Sequence, residues 1–191
     1  CQAYNHTKFS TTYNVFLPSQ TNLHVENEFG KIDVPDYKGE ITIFQKFGRL
    51  TAGKLSTVKK IRVEFSGGST IESVNGGELD FRFSRTEVKK IEGSIKANFE
   101  HSGGVKLSAD NALKQLTIKN AFTTVYLDVP DNLSANFKIH TNFSEFNNKS
   151  NLTIKEEDVE DRRGPKFDHD YSGQSGNGNI PIKINSEFGE V

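Results

Sequence analysis

Residues 41–74 read ITIFQKFGRLTAGKLSTVKKIRVEFSGGSTIESV, and this stretch states one pattern twice. An apolar-x-apolar pair (Ile41 and Ile43, then Ile61 and Val63) is followed by a phenylalanine (Phe47, then Phe65). Next come glycine (Gly48, then Gly67 and Gly68) and a further apolar residue (Leu50, then Ile71). Alternation of apolar and polar residues marks a strand with one buried face, and glycine supplies positive φ at a sharp corner. Each unit therefore reads as a strand, a corner, a second strand and a polar return.

The same pattern extends in both directions. Apolar pairs begin at Leu23, Ile41, Ile61, Leu79, Ile95, Leu116 and Phe137, uneven starts with a period close to that of a short solenoid coil, and again at Ile182. A phenylalanine stands six residues after the start in five units (Phe29, Phe47, Phe122, Phe143, Phe188) and four after it in three (Phe65, Phe83, Phe99). Both offsets are even, and even spacing on an extended strand keeps a side chain on one face. Every one of these rings is therefore expected in the interior, stacked in a column beside Ile, Leu and Val. A second-strand apolar residue recurs nine or ten positions after each start, as in Ile32, Leu50, Ile71, Val88, Val105 and Val125. The fourth unit carries Ser84-Arg85-Thr86 where a glycine corner is expected.

One such unit cannot bury its apolar face alone, whereas stacked units pair their backbones and superimpose their side chains. The predicted fold is all-β: a single-stranded, β-helix-like β-solenoid with coils of about 18–21 residues. Six contiguous coils over residues 23–136, at about 4.8 Å per strand, make a body on the order of 30 Å long. A sandwich or up-and-down barrel also gives short, regularly spaced strands. Tight Asn-Gly or Asp-Gly hairpins are scarce, however, Asn75-Gly76-Gly77 being the main exception, and the recurrent Phe-turn-apolar order favours the solenoid.

A single domain is predicted over residues 1–191, in four parts. Residues 1–22 form an N-terminal segment in which Thr11 to Leu17 makes a capping strand, and residues 23–146 form the stacked coils. Residues 147–179, rich in acids and then in Gly, Ser and Asn, form a loop, and residues 180–191 resume the repeat beside the seventh unit. Proline is absent from residues 36–129, so nothing interrupts backbone pairing there.

Composition narrows the function. With 24 Lys+Arg against 25 Asp+Glu, and the bases dispersed among the acids, a nucleic-acid partner is not expected. No apolar run reaches the length of a transmembrane helix. The sequence contains no Met and opens Cys1-Gln2-Ala3. That opening matches the mature start of a bacterial lipoprotein, in which the cysteine carries the lipid. Cys1 is therefore a candidate lipid anchor for membrane attachment, the alternative being an arbitrary boundary. A lone cysteine says nothing of redox compartment.

Several stretches resemble a family of bacterial adhesin domains, the auto-transporter adhesins of head-GIN type. They are YNVFLPSQTNLHVENEFGKIDV near the start, the coils quoted above, TTVYLDVPDNLSANFKIHTNFSEF, and the ending GNGNIPIKINSEFGEV. The resemblance spans nearly the whole chain; each motif is short, and their order carries it. It implies an extracytoplasmic β-solenoid at the cell envelope or surface, with a protein or glycan partner and no catalytic residues to carry over.

The residues themselves offer little chemistry. Glu156, Glu157, Asp158, Glu160 and Asp161 lie together on the 147–179 stretch rather than at matching positions of adjacent coils, as a solvated charged loop does. Asp168-His169-Asp170 carries metal-ligand residue types, but three consecutive residues converge poorly and no second cluster has ligand spacing. The histidines His6, His24, His101, His140 and His169 are dispersed, and no nucleophile elbow or phosphate loop is present. Outward positions such as Thr42, Arg62, Glu64, Lys96, Thr117 and Lys119 read as a wet surface. Tyr37, Tyr126 and Tyr171 are the aromatic candidates for a binding patch. No cofactor and no catalysis are expected. The function read from the sequence is a surface interaction protein, with a periplasmic structural or sensory scaffold as the alternative and a polysaccharide-active enzyme third.

Overall fold

The computed structural model describes residues 11–157 and 167–191. The chain is an all-β solenoid of about six turns. Its coils pass through β1 (Leu23–Asn27), β2 (Gly30–Val34), β3 (Tyr37–Lys46), β4 (Gly48–Glu64), β5 (Ser69–Arg82), β6 (Thr86–Glu100), β7 (Val105–Ala121) and β8 (Val125–Asp128). They continue in β9 (Ala135–Asn142), β10 (Ile154–Glu156), β11 (Asp168–Gln174) and β12 (Ile180–Glu187). Among the described residues no helix is long and apolar enough to cross a membrane.

Stacking is parallel and in register. Val25 pairs with Ile43, Ile43 with Ile61, Ile61 with Leu79 and Leu79 with Ala97, at a constant interval in sequence. The interval lengthens in the next coil, where Ala97 pairs with Ile118. The uneven starts read from the sequence are thus frame slips: Ile61 lies opposite Ile43 rather than Ile41, and Ile95 opposite Gly77. A slip of two residues leaves every side chain on its face, so the hydrophobic pattern cannot reveal it. Register shifts near Ile41, Asn75 and Ile91 absorb the difference. Ile43, Ile61, Leu79 and Ile118 are fully buried, each worth about 1.5–3 kcal/mol of apolar transfer.

The column of phenylalanines exists, but it runs down the outside. Phe47, Phe65, Phe83, Phe122, Phe143 and Phe188 adopt φ of 47 to 52° and are 43 to 53% exposed, and Phe29 is 69% exposed. Of the rings assigned to the interior, Phe99 is buried, as is its neighbour in register, Phe81. Parity along a strand holds only while the backbone stays extended. One left-handed residue at the corner turns its side chain outward. The aromatic residue itself makes this turn in most coils, so a glycine after it is dispensable. Ser84 follows Phe83 without irregularity, its amide donating to Ser102 Oγ at 3.3 Å and its hydroxyl to the Arg82 carbonyl at 2.7 Å. Ser66, Ser102 and Thr123 occupy the same place in their coils and form the same buried hydroxyl ladder.

The two ends differ from expectation. Residues 11–17 form no strand and are exposed, with Tyr13 at 85% and Phe16 at 93%. On the edge they were expected to cap, Ile32 and Val34 of β2 are 8% and 9% exposed, while Leu23 and Val25 of β1 stay only partly buried. Residues 18–22 instead turn back, with Thr21 N donating to Pro18 O and Gly39 N to Ser19 O. At the other end, β12 inserts between β7 and β9, parallel to both, so the last strand does lie beside the seventh unit. The expected loop over residues 147–179 contains two strands: β11 antiparallel to β9, and β10 antiparallel to β11. These close the C-terminal edge, a covering that sheet edges require.

Candidate functional site

The outward rings form one ladder. Phe29, Phe47, Phe65 and Phe83 stack with centroids 5.4, 4.9 and 4.9 Å apart. His101 follows at 5.1 Å and Phe122 at 4.7 Å, and then Phe188, Phe143 and Phe167 at 5.0, 5.2 and 4.5 Å. Interplanar angles stay between 5 and 17°. Eight steps of one strand spacing make a ridge roughly 40 Å long. The ladder is built by the backbone beneath it. Phe47 N donates to Glu64 O, Phe65 N to Arg82 O and Phe83 N to Glu100 O, at 3.0 to 3.1 Å, so each corner is held to the next coil. Ring faces meet one another and ring edges meet solvent, which makes an aromatic strip of phenyl rings with the His101 imidazole as one of its rungs.

A charged strip runs beside it. Glu28, Lys46, Glu64, Arg82 and Glu100, each one residue before its ring, alternate in sign from coil to coil. Asp80, buried on the same face, accepts from Arg82 Nε at 3.0 Å and lies 3.7 Å from Arg62 Nε, while Arg62 also pairs with Glu64. The hydrogen bond and charge of Asp80 raise the Arg82 guanidinium above its ordinary value. Arg62, Glu64, Asp80, Arg82 and Glu100 thus pair among themselves, and Lys46 Nζ lies 5.2 Å from the centroid of the Phe47 ring.

A second feature lies at the C-terminal end of the solenoid. The strands before the corners continue through β12, β9, β11 and β10, whereas those after the corners stop at β8. Beyond β8 that face is continued by residues 189–191 and 145–147, with Val125 N donating to Glu190 O, Val191 N to Glu145 O and Asn147 N to Val191 O at 2.8 to 2.9 Å. An open recess of about 310 Å³ lies beneath β12 and β9, with Leu127, Ile139, Phe146, Leu152, Ile184 and Val191 among its walls.

The residues singled out from sequence fall elsewhere. Asp168, His169 and Asp170 do not converge: Asp170 pairs with His140 at 2.8 Å, His169 with Glu156 at 2.7 Å, and Asp168 accepts from Asn142. These contacts tie the antiparallel strands together, and among the described residues no group of three or more potential metal ligands forms. Glu157 donates its amide to Asp170 O, whereas Asp158, Glu160, Asp161, His6 and Cys1 lie outside the described residues. Tyr37 is buried, its hydroxyl 2.5 Å from Thr21 O, which removes it as a surface aromatic. Tyr126 is 51% exposed, and Tyr171 packs against Phe146 at 4.9 Å.

Sequence reasoning missed His101 and Phe167 in the ladder. His101 stands six residues after Ile95, the offset of five other rings, so position alone could have placed it. Phe167 belongs to no repeat and reaches the ladder only because β11 pairs back onto β9. No protein-family model, curated protein or solved structure matches this chain.

Proposed function

We propose that the chain is a non-enzymatic interaction protein of the bacterial cell envelope or surface, and that the aromatic ladder is its contact strip. One observation carries this reading: a continuous line of half-exposed rings along the whole rod. Soluble monomers rarely expose large contiguous apolar patches, and those that do use them as binding surfaces. Regular spacing suits an extended partner, a glycan or a protein segment, that can repeat its contact from coil to coil. The resemblance to adhesin domains supports placement outside the cytoplasm.

The test is retention of the full chain on glycan and extracellular-matrix arrays. It is compared with a Phe47→Ser, Phe65→Ser double variant whose strand content is checked by circular dichroism. Retention by the wild type and its loss in a folded variant support the reading. Absence of retention on every array sinks adhesion, and a purely periplasmic location with no ligand then favours a structural or sensory scaffold. Hydrolysis of any arrayed polysaccharide by the wild type would overturn the non-enzymatic reading.

A further inference from the structure

Lysines that are scattered along the sequence are gathered on one face by the coils. Lys96, Lys119, Lys183 and Lys138 stand at exposed outward positions of β6, β7, β12 and β9, four neighbouring strands of the sheet before the corners. In register, Lys96 lies beside Thr117, Thr117 beside Lys183, and Lys183 beside Lys138. Lys119 stands two residues along β7 from Thr117, beside Asn185. Ser172 and Lys155 carry the row on across β11 and β10.

The face holds no compensating acid. Residues 94–98, 115–119, 181–185 and 136–140, which form it, contain no Asp or Glu. Among the described residues none of the four lysines makes an ion pair. At the borders, Glu78 beside Lys96 is held by Lys60 at 2.8 Å, and Asp170 beside His140 is held by that imidazole at 2.8 Å. Nearer its start the same sheet is built differently: Lys60 meets Glu78 and Arg62 meets Asp80 across neighbouring strands. Like charges on neighbouring strands, about 4.8 Å apart, weaken a sheet. Lys183 beside Lys138 is therefore a cost that an anionic partner relieves.

The residues between the lysines indicate which anion. Thr117, Asn98, Asn185 and Gln115 can each donate and accept, which suits sugar hydroxyls. The face carries no Arg, the residue suited to bidentate phosphate recognition, and no outward aromatic side chain to enter a lipid surface. Lys96 and Lys183 are two strand spacings apart, about 9.6 Å, a separation that two linked sugar rings bridge.

We infer that this face binds a linear acidic polysaccharide, with carboxylates on Lys96, Lys119, Lys183 and Lys138 and hydroxyls on the amides between them. Glu100 and Glu187 lie between these lysines and the rings, so the face is separate from the aromatic ladder and does not depend on the ladder's role.

Immobilised polygalacturonate is the probe for the full chain, with neutral dextran, single-stranded DNA and phosphatidylglycerol vesicles beside it. Saturable binding to polygalacturonate and none to dextran is expected, with affinity falling as salt rises. A Lys183→Glu, Lys138→Glu double variant should bind about tenfold more weakly or worse, through like-charge contact with the ligand. A Lys31→Glu, Lys106→Glu double variant changes net charge equally on the sheet after the corners and should bind as the wild type does. Circular dichroism establishes that each is folded. The Phe47→Ser, Phe65→Ser variant should also retain polygalacturonate. The inference is overturned by absence of binding to polygalacturonate, by equal binding to dextran, by equal loss in the two lysine variants, by loss in the folded ladder variant, or by tighter binding to the DNA or the vesicles.

Discussion

The imidazole of His101 lies flat against the ring of Phe122, with centroids 4.7 Å apart and planes 5° apart, and Phe83 covers its other face at 5.1 Å. Six other coils place a phenyl ring at this corner in the same left-handed conformation. Imidazole is smaller and better hydrated than phenyl, so it gains less from two stacking partners. His101→Phe is therefore expected to stabilise the protein by about 0.5–1 kcal/mol, within the range of an aromatic pair. Urea unfolding should show a higher midpoint at an unchanged slope. A lower midpoint would mean that the imidazole makes a contact phenyl cannot replace.

The ladder also tests whether stacking outweighs backbone strain. A non-glycine residue in the left-handed region costs roughly 1–2 kcal/mol, and Phe65 holds φ of 52°. Its ring meets Phe47 and Phe83 at 4.9 Å each, contacts worth about 0.5–1.5 kcal/mol apiece, in addition to the apolar area it covers. Phe65→Gly relieves the strain and deletes both contacts. Denaturant unfolding is expected to show a net loss of about 1–2 kcal/mol, the stacking and covered area less the relieved strain. Equal or greater stability would show that the ring is not what holds the corner.

How far the sequence could be read follows from the same residues. The solenoid was legible because Ile43, Ile61, Leu79 and Ala97 repeat at a constant interval and hydrophobic alternation survives a two-residue slip in frame. The direction of the rings was not legible, because parity cannot register one left-handed residue, and Phe is an uncommon choice there. Strand β11 reads Asp168-His169-Asp170-Tyr171-Ser172-Gly173-Gln174, with no apolar alternation, and it exists because β9 offers an edge to pair with.

Two glycines of similar appearance should behave oppositely. A Cβ added at Gly48 falls 1.8 Å from the Gly30 carbonyl oxygen and 2.6 Å from Gln45 Nε2, so neighbouring coils would have to separate. At Gly67 nothing lies within 4 Å and φ is not positive. Gly48→Ala is expected to cost about 3 kcal/mol or more, at the upper end for overpacking. Gly67→Ala should be neutral or stabilising by about 0.4–1 kcal/mol through the unfolded chain. Thermal midpoints of the two variants measured side by side decide this, and similar losses in both would refute the close-approach account of Gly48.

Acid should act through Asp110 in a definite direction. Its carboxylate accepts from Ala112 N at 2.9 Å and pairs with Lys90 Nζ at 3.2 Å. The Ala112 amide, with Lys90 assisting, holds it below the usual carboxylate value against a smaller effect of burial. A folded-state value below the unfolded one, near about 3.9 for aspartate, gives a contribution that is complete above the unfolded value. That contribution is lost as pH falls through the lowered folded value. Lys90, raised by Glu92 and Asp110, acts in the opposite window, its contribution disappearing only as pH climbs through its raised value. Asp110→Ala should therefore unfold at lower temperature than the wild type at pH 7, and the gap should close as both are titrated toward pH 2. Other carboxylates shift both curves together, so the difference between the two proteins isolates Asp110. A gap of constant size from pH 7 to pH 2 would mean that the loss comes from the shortened side chain and not from its charge.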